Sequence, residues 1–174
     1  MRRLALAALL VGAAPALADN TPVERALGGV EWSGGPSSLR LLGNHSDQQL
    51  VDLLRDPTTT PLRRRRAIML SQYADTPVVR AFLLERFAQL RGATEGSEAL
   101  ELAALLPVAA RFGLVEWSAI QLLLDHPVAT LRESVAVALF ALDPARARVV
   151  LRIKLLHERD VGVRSRLQRL IASR

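Results

Sequence analysis

The 174-residue chain carries 23 Lys and Arg against 17 Asp and Glu, a formal charge of +6, and no cysteine. The missing cysteines exclude a disulfide framework, an iron–sulfur centre, a thiol nucleophile and a Cys-based zinc site. Half the residues are hydrophobic but only 4% aromatic, with Ala and Leu leading, a balance that favours helices over a sandwich or barrel.

The chain opens as an address. Met1-Arg2-Arg3 is a short positive start, Leu4 to Ala14 is almost purely apolar, and Pro15-Ala16-Leu17-Ala18 ends in a small-x-small cleavage site before Asp19. This is the plan of a secretory signal peptide over residues 1–18, too short to span a bilayer, which needs about 20 apolar residues. It predicts an exported product, periplasmic or secreted, with no transmembrane segment in the mature chain and a bacterial envelope as its setting. Loss of Arg2 and Arg3 takes the charge from +6 to +4, and export removes nucleic acid as a natural partner.

Residues 19–45 hold Gly28-Gly29, Gly34-Gly35-Pro36 and Gly43-Asn44 without a sustained period. They read as an irregular lead-in or cap with a short helix near Val23 to Leu27. From Asp47 the spacing becomes helical. The first helix, to Arg55, aligns Leu50, Leu53 and Leu54 and stops at Asp56-Pro57. Thr60-Pro61 and Thr76-Pro77 each pair a capping residue with Pro at the first helical position, opening helices to about Ala74 and Leu90. The latter shows Val79, Phe82, Leu83, Phe87 and Leu90 as a core stripe. Ser97 to Phe112 is a broadly apolar fourth helix that Pro107 kinks or divides. A fifth spans Val115 to Leu124, and a sixth turns Val128, Leu131, Val135, Leu139 and Leu142 inward. The seventh follows Asp143-Pro144 with Val149, Ile153 and Leu156 on one side. The eighth follows Asp160 with Val163, Leu167, Leu170 and Ile171. Nothing alternates with period two, so no sheet is expected.

Two of these segments repeat. Asp125-His126-Pro127 through Leu131-Arg132, and Asp160-Val161-Gly162 through Val163-Arg164, both give an Asp, a short turn, an apolar residue and an Arg, with apolar residues three and seven further on. A degenerate copy runs from Asp56-Pro57 to Leu62-Arg63, and near Glu98 the apolar frame continues without an Arg. The Arg spacing, 69 and then 32, fits units of about 34 residues. The pattern resembles the HEAT repeat. That resemblance implies an all-α fold over residues 46–174, a short solenoid of about four antiparallel helix pairs stacked as a superhelix with a continuous narrow core. It also implies that Asp125, Arg132, Asp160, Arg164 and Arg63 are structural repeat residues. An ordinary all-α bundle is the alternative.

Little here points to catalysis. His45, His126 and His157 form no metal-ligand spacing with one another, and there is no nucleophile elbow or phosphate-cradling glycine loop. No cofactor, metal or catalytic residue is expected. The run Arg63 to Arg66 spreads around a helix at about 100° per residue, so it makes no single stripe. Arg64, Arg65 and Arg66, with Arg166 and Arg169 near the C-terminus, are the candidate contacts for an anionic partner, against the plainer reading of a solvated face. Trp32 and Trp117 stand in a repeated Val-Glu-Trp-Ser tetrapeptide, read either as packing or as exposed recognition. The expected function is a non-catalytic protein-interaction or scaffold module. The alternative is a binder of anionic envelope material, a phosphate-bearing polymer, lipid head groups or an acidic protein, through the arginines.

Overall fold

The computed structural model describes residues 22–29, 32 and 34–173. The leader over residues 1–18, and all of the first tetrapeptide except Trp32, lie outside them. The regular elements among the described residues are all helices, without strands. Two short helices, α1 (Pro22–Leu27) and α2 (Pro36–Arg40), precede α3 (Ser46–Arg55), α4 (Pro61–Ser71), α5 (Pro77–Leu90) and α6 (Gly96–Arg111). Then come α7 (Trp117–Gln121), continued by a 3₁₀ turn (Leu122–Asp125), α8 (Ala129–Leu142), α9 (Pro144–His157) and α10 (Val161–Ala172). None of these helices is long and apolar enough to cross a membrane.

Helix starts follow their chemistry. Pro61, Pro77 and Pro144 each open a helix where the missing N–H costs nothing. Thr60, Asp143 and Asp160 accept from the backbone amides of Arg63, Arg146 and Val163, which satisfies one orphan donor each. Thr76 does not. Its hydroxyl makes no capping bond and is buried without a partner, so here Pro77 alone marks the start. Pro107 neither divides α6 nor ends it; the helix runs on to Arg111.

The helices pack in a regular order. Each neighbour pair α3/α4, α5/α6, α7/α8 and α9/α10 is in contact, and α4, α6, α8 and α10 also pack successively against one another. The broadest contact is α6 on α8. Between the rows lies one apolar core containing Leu50, Ile68, Leu83, Leu102, Leu105, Ile120, Leu131, Leu139, Leu151 and Leu167. The expected stripes of α3, α5, α8 and α10 face it, fully or in part.

The expectation for α9 is different. Val149, Ile153 and Leu156 share one side of that helix, but it is the solvent side, 59%, 59% and 77% exposed. The core takes Ala147 and Leu151 instead, with Val150 and Leu155 packed beside them. Apolar residues surround this helix nearly all the way round, so burial is decided by where α8 and α10 lie.

Candidate functional site

Arginine chemistry divides into two kinds. In α8, Arg132 sits at the fourth helical position and grips the carboxylate of Glu158 with Nε and Nη2 at 2.9 and 2.8 Å. Its Nη1 donates to the carbonyls of His126 and Pro127. Arg164, fourth in α10, donates to the Glu158 carbonyl at 3.0 Å. Glu158 also accepts from the amides of Arg159 and Asp160. The Arg132 hydrogen bonds lead in holding this carboxyl down to about 2, against the opposing cost of burial; the Asp160 amide and the Lys154 charge help.

Fourth in α4 is Arg64. Its Nη2 donates to the carbonyls of Asp56 and Thr59, the same turn-gripping contact that Arg132 and Arg164 make from the fourth position of their helices. Arg64 also lies 3.9 Å from Glu101, a buried carboxylate that Arg86 of α5 holds through two short bonds of 2.6 and 2.9 Å. That pairing raises Arg86 above its ordinary value. The fourth position of α6 is Ala99, which makes no such contact. Asp125, at the end of the 3₁₀ turn, is largely exposed and pairs with Lys154 at 2.8 Å, while Asp160 caps α10.

The histidines serve turns. His126 is buried; its Nδ1 accepts from the Val128 amide, so Nε2 carries the proton that goes to the Ala93 carbonyl at 2.9 Å. This ties the α5–α6 turn to the start of α8. Trp117 packs on the core edge, bonds Gln121 through its indole N–H, and lies 4.3 Å beneath Arg146.

Trp32 joins the lead-in to α4. Its indole N–H donates to the Ala26 carbonyl at 2.8 Å, and Arg66 stacks 5.2 Å above the ring while donating to the carbonyls of Leu27 and Gly29. The Trp32 side chain is seated on Gly34, at φ +61, where an added Cβ would meet the ring at 2.8 Å. Helices α1 and α2 therefore both lie against α4.

The outcome is a groove of about 600 Å³ along the row α4, α6, α8 and α10. Its lining is largely apolar, with Leu62, Met69, Leu100, Ala103, Ala104, Pro107, Val108 and Val137, and Trp32 forming a wall. Arg65, Arg66 and Arg166 border it; Glu133 is its one acidic lining residue. Arg66 is committed to the lead-in, as Arg64 is to its turn. Arg65 and Arg166 are half-buried and pair with no other described residue. Arg169 is exposed one turn beyond Arg166, its Nε bonded to the Ser165 carbonyl, and does not line the groove. Sequence reasoning named Arg65 and Arg166 but not the apolar floor between them, which comes from the far faces of α6 and α8. Among the described residues no cluster of three or more His, Asp and Glu is placed to hold a metal. In comparisons with known proteins, the chain matches no family model, no curated protein and no solved structure.

Proposed function

We propose that this chain is an exported, non-catalytic interaction module, a short HEAT-like solenoid of four helix pairs whose partner lies in the groove along α4, α6, α8 and α10. The packing order supports the solenoid reading: each pair contacts the next, and an Arg at the fourth position of α4, α8 and α10 grips the preceding turn. Solenoids expose long surfaces assembled from adjacent units, and binding is their usual work. The observation that carries the functional reading is the groove itself, an apolar concavity to which four successive helices contribute. The ionisable groups that might have suggested catalysis, Glu158, Glu101 and His126, are engaged in holding helices and turns together.

The test is capture from an envelope extract by the mature protein and by an Ala104→Trp variant that fills the groove floor, both checked for helical content. A defined protein captured by the wild type at physiological salt and lost by the variant is the expected result. Equal retention by both contradicts a groove-mediated contact.

A further inference from the structure

Resting on the groove as the interaction face, we propose that its occupant is an acidic peptide segment with apolar side chains, held between Arg65 of α4 and Arg166 of α10. These two guanidinium groups sit on the first and last helices of the row, half-buried and without a partner among the described residues. A partly desolvated cation lacking a counter-charge is an incomplete arrangement, and a carboxylate completes it with charge-assisted hydrogen bonds. Glu133 is the only opposing charge among the described lining residues, so the groove is biased toward anions.

The floor selects the rest of the ligand. Val137 and its apolar neighbours accept apolar side chains. A peptide offers apolar side chains and carboxylates at separate points, so it can meet the floor and both guanidinium groups together. A single-chain amphiphile offers one charged end for two cations. Three interhelical steps of about 9 Å separate α4 from α10, a reach of about eight extended residues.

The experiment is selection of a random dodecapeptide library, displayed on phage, against the immobilised mature chain, followed by affinity measurements on synthetic peptides from the selected pool. The expected pool pairs Asp or Glu with Leu, Ile, Val or Phe. Its peptides weaken about fivefold for Arg65→Gln and for Arg166→Gln, lose affinity in salt, and are indifferent to Arg152→Gln on exposed α9. A pool without acidic residues, or one insensitive to Arg65→Gln and Arg166→Gln, overturns the acidic occupant. If such a pool is still lost on Ala104→Trp and on Val137→Lys, the groove reading stands while this one falls. If both of those variants keep binding, or no peptide is selected, both readings fall; binding of dodecanoate alone transfers the groove to an acyl ligand.

Discussion

Glu158 gathers four donors at the turn between α9 and α10: two nitrogens of Arg132 and the amides of Arg159 and Asp160. It joins the third helix pair to the fourth, because Arg132 belongs to α8. Its carboxyl is held at about 2 instead of the ordinary 4.5. A depressed acid contributes stability that is complete above pH 4.5 and lost as the pH falls toward 2. Glu158→Gln should therefore cost about 2 kcal/mol at pH 7, with the gap to wild type narrowing as thermal melts are repeated down to pH 2. A gap independent of pH would contradict this role. The pairing of Arg132 with a structural role was visible in the sequence, but Glu158 was not, since no spacing rule joins residues 26 apart. The register of Arg63 to Arg66 was also hidden. Four like residues carry no phase, and only the helix start at Pro61 puts Arg64 against the carbonyls of Asp56 and Thr59.

At the scale of the element, Pro, Asp and Thr punctuation located the long helices well, because each stop is a local event in the backbone. The five-residue α2 escaped notice among glycines; its Pro36-Ser37-Ser38 start lacks an apolar period to announce it. Helix α9 is the instructive case. Val149, Val150, Leu151, Ile153, Leu155 and Leu156 offer more than one possible stripe, and periodicity has no means of choosing between them. The packing of α8 and α10 chooses Ala147 and Leu151. Leu151→Ala should lower stability by about 3 kcal/mol through a core cavity, whereas Ile153→Gln, on the same helix, should change it by less than about 0.5 kcal/mol. Denaturant melts of the two variants decide this, and a large loss for Ile153→Gln would show that the exposed stripe is covered in solution.

At the scale of the molecule, the described helices share one apolar core, and α4, α6, α8 and α10 together line a groove. A groove of this kind has no signature in one helix. Leu62 and Met69, Leu100 and Ala104, Val137, and Arg166 belong to four separate elements and meet only through packing. The sequence did carry the two ends, Arg65 and Arg166, among the five arginines named as candidate contacts for an anionic partner. It also carried Trp32, whose place as a wall depends on Gly34 and on the stack with Arg66. The most direct measurement of the central claim is amide chemical-shift mapping of the isotope-labelled mature chain titrated with a selected acidic peptide. Perturbations gathered on Arg65, Leu100, Ala104, Val137 and Arg166 are the predicted result. Perturbations gathered on Val149, Ile153 and Leu156 of α9, with the groove silent, would contradict it.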